Sequence, residues 1–170
     1  LISSHKKIHT IIDIGTGAGF PGIPLAILFP EKLIYLVESI GKKVNFLEHV
    51  VKTLNLQNVQ IVHDRAEEFI KYALDSSKEK IKWSETVIVA RAVASFEILY
   101  TTIAPAFEQR ETNIMFQKST KAAEEEIKLF IEKKKADNNY TAASHTFTVV
   151  PINDYGFEEL KDRSVIVARS

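Results

Sequence analysis

The residues best suited to chemistry in this chain sit immediately after short apolar runs. Ile11, Ile12 and Ile14 lead into Gly15, Gly17 and Gly19, three glycines at alternate positions, with Pro21 and Pro24 following. A β-branched run stopped by such glycines and continued by an apolar segment predicts a strand, a nucleotide-accommodating turn and a helix N-terminus, the first half of a βαβ unit. Glycine belongs in that turn because positive φ is open to it and because its backbone can approach a ligand closely. Glu38 ends the next apolar run, LIYLV, roughly 20 positions beyond the turn, where a carboxylate can accept both hydroxyls of a ribose. Arg65, Ala66 and Glu67 follow a third run, VQIV, where backbone groups can edge an adenine. Arg91, Ala92 and Val93 follow a fourth run, TVIVA, and Lys118 a fifth, NIMFQ.

The turn narrows the choice of ligand. A dinucleotide fingerprint G-x-G-x-x-G requires a third glycine at position 20, which is Phe20. A pyrophosphate also needs amide donors at the helix N-terminus, and Pro21 and Pro24 remove two of them. No Gly-Lys-Ser/Thr triplet follows, so a P-loop is excluded. S-adenosylmethionine (SAM) carries a sugar, an adenine and an amino-acid zwitterion but no phosphate, and fits a glycine turn poor in amide donors. At the fourth run, enzymes that methylate exocyclic amines place Asn or Asp followed by prolines, because the amine must lose a proton. Arg91 stands there instead. A ring nitrogen such as guanine N7 already presents a lone pair, so transfer to it needs alignment and desolvation more than a base. Lys118 with Lys121, and Lys42 with Lys43, are candidates to meet phosphate near the same crevice.

Composition excludes several other classes. There is no cysteine, hence no disulfide, thiolate metal site or Cys nucleophile. The five histidines (5, 9, 49, 63 and 145) have no metal-ligand spacing, no HExxH occurs, and no serine sits in a G-x-S-x-G turn. Lys plus Arg and Asp plus Glu are both 22, so total charge does not announce a nucleic acid, although a balanced total can hide a basic face. No apolar run approaches the roughly 20 residues of a membrane span and no signal peptide is visible, so a cytoplasmic protein is expected.

These residues must be positioned by alternating elements. Strands are predicted at about 10–14, 33–37, 59–62, 86–90 and 113–117. Helices are predicted from Pro21 to Phe29, Lys42 to Leu54, Ala66 to Leu74, over a face of Phe96, Leu99, Tyr100, Ile103 and Phe107 capped by Ser95, and over 120–135 with Ala123, Ile127, Phe130 and Ile131 inward. The polar stretch Asp75 to Ser84 reads as a surface loop, residues 1–9 as a lead-in, and the run from Glu124 to Lys135 as an exposed charged face. Five alternations argue for one domain built on a doubly wound, mostly parallel sheet. Two β-rich runs at 145–150 and 164–168 with no helix between them predict an antiparallel last strand, a variation met in methyltransferase sheets more than in dinucleotide dehydrogenases.

Taken in order, DIGTGAGFPGIPLAI, then ES.GKK..FL, RAEE, ARAV and Lys118 with an E-E-I helix resemble the glucose-inhibited division protein B family, bacterial guanine-N7 methyltransferases of small-subunit ribosomal RNA. The match runs from about Ile11 to Ile127. The resemblance implies a Rossmann-like, SAM-dependent enzyme that methylates N7 of one guanine in the 530 loop of 16S rRNA, with the rRNA or the small ribosomal subunit as partner and no metal. It implies methionine-side contacts at Gly15 and Phe20, adenine-side contacts at Ala66 and Glu67, and a contact close to the methyl donor at Arg91. Gly17 and Glu38 complete the expected cofactor site, and Lys118 with Arg91 the substrate-orienting pair. The family usually has glycine after the lysine of the fifth strand, where this chain has Ser119, and an N-terminal helical segment that this sequence is expected to lack.

Overall fold

Apolar runs long enough for one strand alternate with amphipathic segments long enough for one helix, and a computed structural model shows the sheet that results. It describes residues 8–75, 81–91, 95–110, 112–136, 146–152 and 162–169. The elements are β1 (Thr10–Ile14), α1 (Gly22–Leu28), β2 (Leu33–Glu38), α2 (Gly41–Thr53), β3 (Val59–His63), α3 (Ala66–Leu74), β4 (Thr86–Arg91), α4 (Phe96–Arg110), β5 (Asn113–Ser119), α5 (Thr120–Ala136), β6 (Thr146–Pro151) and β7 (Arg163–Arg169). Seven strands form one sheet in the order β3-β2-β1-β4-β5-β7-β6. The first five are parallel, β7 runs antiparallel to both β5 and β6, and the expected antiparallel last strand is therefore present.

Strands buried on both faces explain the continuous apolar runs. Ile12, Ile14, Tyr35, Ile88 and Phe116 pack with α3, α4 and α5 on one side. Ile11, Ile34, Leu36, Val87 and Met115 pack with α1 and α2 on the other. Phe96, fully buried at the first turn of α4, has ring centroids of Tyr100, Phe116, Phe130 and Phe147 at 5.9, 5.8, 5.1 and 5.6 Å. Truncating such a ring costs about 3–5 kcal/mol, so this cluster fixes where α4 starts. Asn58 ties the end of α1 to the sheet, its side-chain amide donating to the carbonyls of Ala26, Phe29 and Lys32 at 3.1, 3.2 and 3.0 Å.

Several boundaries differ from the sequence reading, each for a nonlocal reason. Helix α1 starts at Gly22, because the Gly22 amide is drawn to the Asp13 carboxylate at 2.7 Å. Leu54 lies beyond α2 and is half-exposed, since the buried stripe of that helix ends with Val50 and Val51. Strand β4 continues to Arg91 and β5 to Ser119, because neighbours supply a ladder: Arg91 opposite Gln117, and Lys118 and Ser119 opposite Ser164 and Arg163. Within the stretch read as a polar loop, Trp83 opens a 3-10 turn and is buried against the core. The face of α4 is buried as expected at Phe96, Leu99, Tyr100 and Ile103, and Ser95 caps it with Oγ 3.4 Å from the Ile98 amide. The lead-in 1–7, Ala92, Val93, the Phe107 side chain and His145 lie outside the described residues.

Candidate cofactor site and active site

The strand order places the ends of β2, β1, β4 and β5 side by side, so Glu38, the glycine turn, Arg91 and Lys118 share the carboxyl edge of the sheet. The order reverses between β1 and β4, and open α/β sheets bind ligands in the crevice at such a point. The turn is held from below. Gly15 and Thr16 donate their amides to the Val37 carbonyl at 2.9 and 3.2 Å, and Gly17 donates to Glu38 Oε2 at 3.0 Å. Gly15, Gly17 and Gly19 have φ of 64, 62 and 92°, the left-handed region that disfavours any other residue. A Cβ on Gly17 would have its nearest neighbour, the Gly15 carbonyl oxygen, at 3.9 Å, so the space above the turn is open.

Asp13 is the residue that the sequence reading did not single out. It is fully buried, on the side of β1 that faces α1. Its Oδ2 accepts the Thr16 hydroxyl at 2.6 Å and the Gly22 amide at 2.7 Å, which closes both ends of the turn onto one oxygen. Its Oδ1 is buried with no hydrogen-bond partner among the described residues. Burial pushes the Asp13 carboxyl up to about 6, against the opposing pull of the Thr16 hydroxyl, the Gly22 amide and the Arg91 charge. Gly22 must be glycine for this contact, since a Cβ there would lie 2.1 Å from Leu36 Cδ2 and 2.8 Å from Asp13 Oδ2. The available signal was one acidic residue inside an otherwise apolar run destined for burial on both faces.

The remaining candidates divide. Glu38 is nearly buried and already engaged: Oε1 accepts the Ile40 amide at 3.0 Å, and Lys43 Nζ lies 3.7 Å from Oε2. Each carboxylate oxygen accepts more than one bond, so capacity for a hydroxyl remains. Ala66 and Glu67 open α3 beside the end of β3, with Glu67 exposed and the Arg65 amide held by Asp64 Oδ1 at 2.8 Å. Arg91 is exposed at the tip of β4, its guanidinium 5.5 Å from the centroid of the Phe20 ring, which is itself 49% exposed. Lys118 is turned elsewhere. Its Nζ is 3.1 Å from Glu126 Oε1 and its side chain is only 12% exposed, while Glu126 Oε2 accepts the Phe96 amide. Lys121 pairs with Glu125 at 3.9 Å, and Lys42 is exposed on the first turn of α2. Ser119 caps α5, its Oγ 3.4 Å from the Ala122 amide. Among the described residues no cluster of three His, Asp or Glu could hold a metal, and no helix is long and apolar enough to cross a membrane.

A family model described as rRNA small subunit methyltransferase G matches residues 1–150. The chain belongs to that family. Curated relatives of the same name include one from Macrococcus caseolyticus, 44% identical over 100 residues, which are 59% of this chain and 39% of the relative. Another, from Bacillus cereus, is 40% identical over 122 residues, 72% of this chain and 48% of the relative. The chain thus spans less than half the length of the curated relatives it matches. Among solved structures, an rRNA methylase from Streptococcus thermophilus has a TM-score of 0.64 at 13% identity, covering 99% of this chain and 90% of the other. A SAM-dependent methyltransferase from Aquifex aeolicus has 0.61 at 18%, covering 95% and 81%. Identities this low establish the fold alone, a Rossmann-like sheet, and the family rests on the sequence match.

Proposed function

We propose that the chain is the catalytic part of a SAM-dependent enzyme that methylates N7 of a guanine in the 530 loop of 16S rRNA. The observation that carries this reading is the turn after β1: its positive-φ glycines leave open space at Gly17, and its two ends close on a buried carboxylate, Asp13, with one oxygen unpartnered among the described residues. An ammonium group is the natural partner of a half-satisfied buried carboxylate, and an amino-acid zwitterion brings one. Bound there, SAM supplies a methyl group on a sulfonium. Gly15 and Phe20 would border its methionine part, Gly17 its approach to the turn, Glu38 its ribose hydroxyls, and Ala66 with Glu67 its adenine.

The protein's part in transfer to a ring nitrogen is to align and desolvate. Guanine N7 must keep its lone pair for the incoming methyl, so a guanidinium donating to N7 would block the reaction. Arg91 is therefore assigned to O6 of the base or to a phosphate, with its charge exposed at the switch point. Lys118 reaches the substrate only by leaving Glu126, which makes it the lesser of the two orienting cations. Incubation with labelled SAM and small subunits lacking the modification tests the proposal: label on guanine N7 is expected, and its absence rejects the activity. A dinucleotide-dependent oxidoreductase is disfavoured by Phe20, Pro21 and Pro24, and calorimetry against SAM and NAD separates the two.

A further inference from the structure

We propose that Phe20 is a positioning residue for Arg91: its ring holds the guanidinium over the mouth between β1 and β4 and so sets where that cation meets ligand or substrate. The inference rests on the functional reading above for its purpose, but its geometry stands alone. Arg91 forms no ion pair among the described residues, and its guanidinium lies over the Phe20 ring, 5.5 Å from the centroid. A guanidinium at the exposed tip of a strand otherwise samples many rotamers, and a planar cation laid on a ring loses that freedom in advance.

A platform must be stiffer than what it carries, and the turn under Phe20 is. The Phe20 amide donates to the Thr16 carbonyl at 3.0 Å, as does that of Gly19, also at 3.0 Å. Thr16 is locked by its hydroxyl to Asp13 and by its amide to Val37, and Gly22 is locked to Asp13 on the far side of the ring. A phenylalanine left half exposed on so rigid a turn is not explained by the core, which it does not join. The charge it holds in place is felt below: Arg91 acts on the buried Asp13 carboxylate, whose other described partners are Thr16 and Gly22. Phe20 thereby links the loop of β1 to the tip of β4 across the switch point.

The test uses the whole chain with Phe20→Leu, which removes the ring, and Phe20→Trp, which keeps an aromatic face. The Arg91 side-chain protons, assigned by their loss in Arg91→Gln, are expected upfield by ring current in the unmodified protein and in Phe20→Trp, and at ordinary positions in Phe20→Leu. Titration with an RNA oligonucleotide carrying the 530-loop guanine is expected to show affinity falling about three- to fivefold in Phe20→Leu, with little further loss when the same change is added to Arg91→Gln; S-adenosylhomocysteine affinity reports only the ring's own contact with the methionine part. Unshifted Arg91 protons in the unmodified protein, or fully additive losses in the double variant, overturn the proposal. Backbone amide spectra check that each variant is folded. If the unmodified chain transfers no methyl, the functional reading fails, while the ring-current shift and the coupling still decide the role of Phe20.

Discussion

Arg91 and Lys118 end neighbouring strands of one sheet, and the sequence presents them alike, a cation after an apolar run. The fold treats them differently. Arg91 is exposed beside an aromatic ring and above a buried carboxylate, at the point where strand order reverses. Lys118 is nearly enclosed and held by Glu126, which at the same time caps the first turn of α4 through the Phe96 amide. One charge is presented to the crevice, and the other is part of the joint between β5, α5 and α4. Position at a strand end makes a residue available to a site. Whether its charge acts there depends on what else claims it.

Exchanging each cation for alanine is the sharpest way to break this contrast. Arg91→Ala is expected to lower methyl transfer about 100-fold, the loss of one electrostatic contact to the reacting groups of roughly 3 kcal/mol, with denaturant stability unchanged within about 0.5 kcal/mol. Lys118→Ala is expected to do the reverse, costing about 1–2 kcal/mol of stability, since Glu126 loses its ionic partner at a partly buried site, with a smaller effect on transfer. Equal losses of activity with no loss of stability would erase the distinction.

The mouth owes its rigidity to the staple at Asp13, and Gly22→Ala attacks that directly. The added methyl must displace Leu36 and the carboxylate, so a loss of about 1–3 kcal/mol in urea titration is expected, as for other overpacked sites, together with weaker S-adenosylhomocysteine binding. A stable variant with normal affinity would show that the turn can be re-formed without the Asp13 bond.

Protonation separates the two regions further. The Asp13 carboxyl is raised from 3.8 to about 6, so its folded state binds a proton more tightly than the unfolded chain. The neutral acid's contribution to stability is complete below pH 3.8 and is lost as pH rises through 6, an effect of order 3 kcal/mol. A ligand ammonium needs the ionised form, so affinity for S-adenosylhomocysteine should rise about tenfold from pH 5 to pH 7, and Asp13→Asn should flatten that rise. A flat profile in the unmodified chain would remove Asp13 from the ammonium site. The smallest effect is expected at the far edge: Ser119→Gly restores the residue usual in the family and removes only a weak cap, a few tenths of a kcal/mol on thermal unfolding, with transfer unchanged.

Much of this was legible in the chain because its carriers are local. Glycines at 15, 17 and 19 do adopt positive φ, the apolar runs did become strands, buried in β1, β2, β4 and β5 and only partly so in β3 and β6, and Ser95 does cap α4. What escaped was nonlocal. Asp13 looked like one polar letter in a strand until Thr16 and Gly22 converged on it, and Glu126 looked like part of a charged helix face until Lys118 and the Phe96 amide met it. The partner of Lys118 escaped for the same reason, since nothing in its neighbourhood along the chain names Glu126 on α5.

The sequence by itself determined the alternation of strands and helices, the turn after β1 and the family, because periodicity and backbone permissiveness are properties of adjacent residues. Only the tertiary structure decided which charges face the crevice. Electrostatic and hydrogen-bond partners are chosen by distance in space, and the strands that bring Asp13, Arg91, Lys118 and Glu126 within reach of their partners are set by packing across the whole sheet.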